Sequence, residues 1–393
     1  MLRVAIIGCG KIADSHAEQI MRVEGSSIAA VCDREPLMAR QLADRFAVER
    51  RYVDPLEMLL GSGPDVVHIT TPPTSHFELA SLCLEAGCHV FVEKPLTVHA
   101  AAAEQLVRLA ALKHLKLTVG HDDQFSHVAR RMRTLVSEGY LGGPPVHMES
   151  SFCYDLGNPT YAQALFGDDD HWVRRLPGRL LHNIISHGIA RIAEYLSTDC
   201  PAVLAHGYAS PLLKRLGETE IIDELRVLIC EEERTSAYFT FSSQMRPSVH
   251  SFVIYGPANG LALDQDHERL IRLPGTRYKS YLEKFVPPVA FARQELANLR
   301  ANVVAFLRND FHSKSGLKYL IEAFYRAIEQ DTPEPIPYRE IIVTARIMDR
   351  IFSQLRREVP EASSVGDRVP GFPVHRGRDV RPPTGAQDLA PHG

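Results

Sequence analysis

A chain of 393 residues exceeds what one typical core supports and predicts two domains. Apolar residues make up 45% of it and charged residues 23%, and the formal charge is −4, the balance of a soluble globular protein. No basic stripe alternates with aromatics and no apolar run reaches the length of a bilayer span, so neither nucleic acid nor membrane is an expected partner.

The first element is an apolar run, Val4 to Ile7, broken at Gly8 and Gly10 and followed by Ile12, Ala13, His16, Ala17, Ile20 and Met21 at helical spacing. This predicts a strand, a glycine turn and a helix start. Gly8 permits the bend, Gly10 lets backbone approach a pyrophosphate, and the N–H groups at Lys11 and Ile12 face the anion. Ala13 allows tight packing of helix on strand. A second strand, Ser27 to Cys32, ends in Asp33, where a carboxylate accepts the hydroxyls of an adenosine ribose. That carboxylate favours NAD as cofactor, while the adjacent Arg34 guanidinium leaves NADP open.

Helix over Pro36 to Phe46, short strand at Arg51 and a helical turn from Pro55 follow. The nearly all-apolar Asp65 to Thr70 reads as a strand covered on both faces. It runs into Thr71-Pro72-Pro73-Thr74-Ser75-His76, a loop at the strand edge where ligands bind in open α/β sheets; His76 is read either as a helix cap or as a cofactor contact. Another buried strand, Cys88 to Val92, acquires charge only at its end, in Glu93-Lys94-Pro95. An Ala-rich helix (Val98 to Lys113) and a strand from Leu115 to Gly120 complete an α/β Rossmann domain, a doubly wound parallel sheet, over residues 1–122.

Beyond Gly120 strands succeed one another: Val146 to Phe152, Val203 to Tyr208, Glu224 to Cys230, Thr235 to Ser242, Ser251 to Tyr255 and Gly260 to Asp264, with a helix from Leu180 to Leu196. This predicts an α+β domain over 123–355 built on a mixed, largely antiparallel open sheet. Its free face suits a second subunit, giving a homo-oligomer. Helices are expected over Phe291 to Phe311, along the stripe Leu317, Leu320, Ile321, Phe324, Ile328, and along Ile341 to Leu355. Residues 356–393, rich in Pro and Gly, read as a disordered tail. Seven dispersed cysteines without a C-x-x-C argue against disulfides or zinc, and the absence of a charged-then-apolar leader points to the cytoplasm.

The glycine turn, Thr71-Pro72-Pro73 with His76, and Ala86-Gly87-Cys88-His89-Val90 running into Glu93-Lys94-Pro95 resemble the Gfo/Idh/MocA family of glucose–fructose oxidoreductases and inositol dehydrogenases. Trp172, Arg174, Gly178, Asn183 and His187 resemble its second motif. The resemblance implies an NAD(P)-dependent oxidoreductase that transfers hydride at a hydroxyl or carbonyl carbon of a sugar, cyclitol or sugar nucleotide. It makes Lys94 the catalytic lysine, next to a constrained Pro95, and brings Glu93 to the cofactor. Chemistry agrees, since hydride leaves a carbinol carbon readily only if its hydroxyl proton is taken. His187 is the second catalytic candidate, and Gln124, Trp172 and Asn183 are expected to line the substrate pocket. His182 is read as a substrate contact or as a packed core residue.

The family places an aspartate where Asn183 stands and often an acid where Ala190 stands. Asn cannot carry a proton, so any relay is expected to run through Lys94 and His187. Two other readings follow from that loss: an enzyme with retained NAD that eliminates or hydrolyses after transient oxidation, and a non-enzymatic cofactor or sugar sensor. No metal site is expected, since consecutive Asp168-Asp169-Asp170-His171 lacks the spacing of an ion-binding loop.

Overall fold

A computed structural model describes residues 1–155, 171–215, 218, 220–232, 234–311 and 314–358. The expectations for Asp168 to Asp170 and for the tail beyond 358 lie outside these residues. The N-terminal strands are β1 (Leu2–Ile7), β2 (Ser26–Cys32), β3 (Arg51–Tyr52), β4 (Val66–Ile69), β5 (His89–Val92) and β6 (Leu117–Val119). They pair in parallel in the order β3-β2-β1-β4-β5-β6. The intervening helices are α1 (Lys11–Ile20), α2 (Pro36–Phe46), α3 (Pro55–Ser62), α4 (His76–Glu85) and α5 (Ala100–Leu112). Strand order reverses at β1/β4, and in such sheets the crevice at the strands' carboxyl ends is the ligand site. Gly8, Thr71 and Lys94 all lie at that edge.

The second part comprises α6 (His127–Ser137), β7 (His147–Cys153), α7 (Arg179–Ile184), α8 (Ser186–Ala193), β8 (Ala202–Tyr208), α9 (Pro211–Arg215), β9 (Glu224–Glu231), β10 (Thr235–Ser242), β11 (Val249–Tyr255), β12 (Asn259–Asp264) and β13 (Arg269–Pro274). Its seven strands run in the order β13-β12-β11-β7-β10-β9-β8, antiparallel except for β7/β10, so the sheet is mixed as expected. The edge strand β13 is one the sequence reading passes over. The single helix expected over Leu180 to Leu196 is divided at Ile185 into α7 and α8.

Three helices close the described chain: α10 (Leu282–Leu307), α11 (Ser315–Glu329) and α12 (Tyr338–Glu358). Helix α10 starts nine residues earlier than the expected Phe291 and runs through Pro287 and Pro288. Those prolines withhold donors from the carbonyls of Glu283 and Lys284, both on exposed residues where water can serve instead. The boundary at 122/123 places everything up to 355 in the second domain, yet the α11 stripe Leu317, Leu320, Ile321, Phe324 lies in the first core with β1, β4 and β5. Helix α12 instead packs Ile347, Ile351 and Phe352 into the second core beside α8.

Helix α8 sits close on the sheet because Gly188 has no side chain. A Cβ there would lie 2.4 Å from the Phe239 ring, and the Gly188 carbonyl accepts a 3.0 Å hydrogen bond from Ser150 Oγ. Gly188→Ala should therefore destabilise by about 1–3 kcal/mol through overpacking. Chemical denaturation of that variant, and of Gly188→Ala with Phe239→Leu, checks this: the second change should restore part of the loss. An unaltered midpoint in the single variant would contradict the close approach.

Candidate functional site

The glycine turn has the geometry a bound pyrophosphate needs. Gly8 has φ +94, and a Cβ on it would meet Thr71 Cγ2 at 2.7 Å and backbone of Thr70 and Thr71 at 2.9 Å. Only glycine fits there. A Cβ on Gly10 would meet nothing within 4 Å, so the backbone faces open space at the start of α1. The first N–H groups of α1, including Lys11 and Ile12, have no acceptor inside the helix. Asp33 secures the turn: its carboxylate accepts from Cys9 N–H at 2.7 Å and from Glu35 N–H at 2.9 Å. Lone pairs on both oxygens remain for ribose hydroxyls. The Arg34 side chain is exposed.

Thr71 and Pro72 begin the loop after β4, against Gly8. His76 was expected as a cap or a cofactor contact and is neither. Its ring is fully buried, with Nδ1 2.9 Å from the Pro95 carbonyl oxygen and Nε2 2.8 Å from that of Thr71. Burial lowers its pKa, and a neutral ring donates to only one of these two carbonyls.

Lys94 follows β5, and its bond to Pro95 is cis. Its Nζ donates to the Asn183 carbonyl oxygen at 2.7 Å and approaches Asn183 Oδ1 at 3.4 Å, so the strand end of the first sheet meets α7. Burial lowers the Lys94 pKa, opposed by the charges of Glu93, Asp122 and Asp123. Glu93 is tied elsewhere. Its Oε1 lies 2.9 Å from His16 Nε2 and its Oε2 accepts from Lys94 N–H at 3.1 Å. Burial alone would raise the Glu93 pKa; the hydrogen bond and charge of His16, then the Lys94 charge, outweigh it and hold the carboxyl at about 2.

Behind Glu93 runs a buried chain. His16 Nδ1 is 2.9 Å from His68 Nδ1, and His68 Nε2 is 2.9 Å from Tyr325 Oη on α11. An ionised Glu93 can only accept. Burial keeps His68 uncharged, so it donates from one ring nitrogen and accepts at the other, and His16 and Tyr325 take the complementary roles.

His187 lies on α8, stacked against Phe152 with centroids 5.7 Å apart. Burial holds its pKa down at about 4. Its Nδ1 is 3.7 Å from Asp122 Oδ1 and 3.5 Å from Asp123 Oδ2, beyond hydrogen-bond distance. Acids absent at positions 183 and 190 thus come instead from the crossing between domains. The two carboxylates differ. Asp123 accepts from Gln265 Nε2 at 2.6 Å; burial would raise its pKa, but His187, Arg191 and this bond lower it. Burial and the Asp123 charge push Asp122 up to about 7. A signal for this pair exists in the sequence: two acids at the carboxyl end of β6, on the ligand edge of the sheet. The ligand-type atoms of Asp122, Asp123 and His187 lie within 4.8 Å of one another, a proximity common among acidic groups without an ion.

Of the expected pocket residues, Gln124 is closed off. Gln124 is buried, with its amide on Glu194 Oε2 at 3.0 Å, because α6 and α8 close over it. Trp172 lies against His171, with centroids 5.6 Å apart, and among the described residues no contact joins it to Lys94. His182 packs on the Phe352 ring at 4.7 Å and is a core residue.

Residues 2–121 match the family model described as "Oxidoreductase family, NAD-binding Rossmann fold". The match is to the Gfo/Idh/MocA family model and is confined to these residues. Two similar curated proteins are the D-glucoside 3-dehydrogenase of Escherichia coli, 35% identical over 142 residues, and the myo-inositol 2-dehydrogenase of Thermotoga maritima, 28% identical over 145. The matches cover 36% and 37% of this chain and 40% and 43% of those proteins, so the chain spans less than half the length of the Gfo/Idh/MocA relatives it matches. Over 91% of this chain the fold is that of the WlbA dehydrogenase of Bordetella pertussis, solved with NADH and UDP-GlcNAcA, at 15% identity and TM-score 0.71, covering 96% of that chain. The UDP-N-acetylglucosamine 3-dehydrogenase of Acidithiobacillus ferrooxidans matches 90% of this chain and 97% of its own at 19% identity and TM-score 0.67. The cofactor fitting the Gly8–Asp33 cradle is NAD.

The Asp122 geometry predicts a pH-dependent stability. In the unfolded chain Asp122 ionises near 3.8; folded, it keeps its proton to about 7, so its contribution is present at low pH and is lost as pH rises from 4 to 7. Asp122→Asn should raise the melting temperature at pH 8 and leave it nearly unchanged at pH 4. Thermal melts check this, and equal shifts at both values would contradict it.

Proposed function

We propose that the protein is an NAD-dependent oxidoreductase that removes or returns hydride at a hydroxyl-bearing carbon of a sugar, cyclitol or sugar nucleotide, with Lys94 as the acid/base. The observation that carries this is the Lys94 amine. It is buried at the ligand edge of a dinucleotide-binding sheet, lowered in pKa, and turned to Asn183 rather than to Glu93. The names of the relatives, which include dehydrogenases of glucosides, inositol and UDP-N-acetylglucosamine, support the substrate class.

Bound nicotinamide supplies the hydride acceptor or donor. Gly8, Gly10 and the start of α1 hold the pyrophosphate, and Asp33 takes the ribose hydroxyls and disfavours a 2′-phosphate. Neutral Lys94 takes the substrate hydroxyl proton as the carbonyl forms; in reverse, its ammonium returns a proton to the developing alkoxide. The Asn183 carbonyl and Oδ1 orient the amine and carry no proton. His187, uncharged at neutral pH, offers a hydrogen bond to a substrate hydroxyl. Asp122, holding its proton to about 7, takes the acidic place that Asn183 leaves. We further propose that subunits pair through the open face of the second sheet, where Leu204 and Tyr238 are exposed around a hollow of about 430 Å³.

Lys94→Ala should cut turnover by about 10²–10⁴ with NAD affinity changed only a few fold. Asn183→Asp should retain activity and displace its pH profile. Steady-state assays with NAD and NADP on a panel of glycosides, cyclitols and sugar nucleotides, alongside cofactor titrations, check this. Near-normal turnover in Lys94→Ala, or product formed with no net NADH even from NAD-loaded protein, would contradict the proposal.

A further inference from the structure

Helix α10 is attached the wrong way round for a monomer. Its polar face meets the protein. Gln294 Oε1 accepts from Arg272 N–H at 2.7 Å, and its Nε2 donates to the Arg272 carbonyl at 3.1 Å. One turn on, Asn298 Nδ2 donates to the Leu270 carbonyl at 3.1 Å, and Asn302 Nδ2 to the His267 carbonyl at 3.1 Å. Of these three amides at four-residue spacing, two cover the free edge of β13, whose unpaired backbone would otherwise recruit another strand, and the third holds the turn before it. Of the helix's 26 residues Asn298 is the buried one.

The opposite face is apolar and regular. Leu282, Phe285, Val289, Ala292, Leu296, Leu299, Val303 and Phe306 alternate steps of three and four, a heptad seam held through three and a half repeats. All are exposed, with Phe285 and Leu296 at 66%, Leu299 at 60% and Phe306 at 68%. A 3.5-residue period keeps a stripe facing a second helix of the same period. A surface helix normally turns its apolar stripe inward and its polar side to water.

We infer that α10 pairs with α10 of a second copy of this chain in a parallel two-stranded coiled coil. The flanking charges select both partner and direction. With Leu282 as position a, Glu295 is at g and Arg293 and Arg300 are at e. A parallel pair sets Glu295 against Arg300 of the partner subunit, five residues on. An antiparallel pair would set the arginine flank of one helix against that of the other. Glu295 also pairs with Arg269 at 2.8 Å, a half-exposed contact worth little on its own. The prolines at 287 and 288 occupy positions f and g, off the seam. This contact is separate from the open sheet face and does not rest on the catalytic reading.

Disulfide trapping in a Cys200→Ser background tests it, since Cys200 is the exposed thiol among the described residues. In a parallel pair, residues at d face their own copies, so Leu299→Cys should cross-link into a covalent dimer under mild oxidation. Ala301→Cys, exposed but turned from the seam, should not. Leu296→Glu with Leu299→Glu should halve the mass of the full chain by light scattering. The inference is overturned if Leu299→Cys cross-links no better than Ala301→Cys. It is equally overturned if the double variant keeps the native mass, or if the intact chain already has the variant's mass and sediments with phosphatidylcholine vesicles.

Discussion

The site depends on one buried negative charge. Glu93 lies at the end of β5 with its carboxylate largely out of water, and it stays ionised because the hydrogen bond and charge of His16 and the charge of Lys94 outweigh burial. An unpaired carboxylate in that position would take up a proton. Ionised, it opposes the effect of burial on Lys94, whose pKa is lowered all the same. The arrangement reaches beyond the site, because His16 is held by His68 and His68 by Tyr325. Tyr325 belongs to α11, far along the chain, so docking that helix in the first core also fixes the carboxylate beside the lysine.

The second constraint is the crossing after β6. Asp122 and Asp123 leave the ligand edge of the first sheet, and Asp123 is tied to the second part through Gln265 and Arg191. The same turn brings both acids to His187 on α8, while Lys94 reaches Asn183 on α7. Acid, amine and imidazole thus come from different parts of the fold. Unlike environments then separate two adjacent aspartates in pKa, the arrangement from which acid and base roles arise.

Much of this is legible in the sequence where the signal is local. A glycine turn between an apolar strand and a helix predicts the phosphate cradle, and the φ of Gly8 with its contact to Thr71 accounts for that glycine. Lys94 is visible because charge ends an apolar strand. Partners across long separations are not visible. His68 looks like an interruption of an apolar strand until Tyr325 is set beside it. Gln124 was placed by nearness to motifs, and its side chain is buried on Glu194 instead. Asp122 and Asp123 were passed over because the domain boundary fell on them. Helix α10 began earlier than expected because prolines are tolerated where the opposed carbonyls reach water.

The central claim is that Glu93 sets the proton affinity of Lys94, and the pH dependence of kcat/KM for substrate oxidation by Glu93→Gln measures it. On the proposed mechanism oxidation requires neutral Lys94, so activity should rise with pH through the lysine pKa. Removing the negative charge lowers that pKa, and the rising limb should move to lower pH whatever the loss in amplitude. A limb at the wild-type position, or at higher pH, would show that Glu93 does not govern the lysine and would contradict the account.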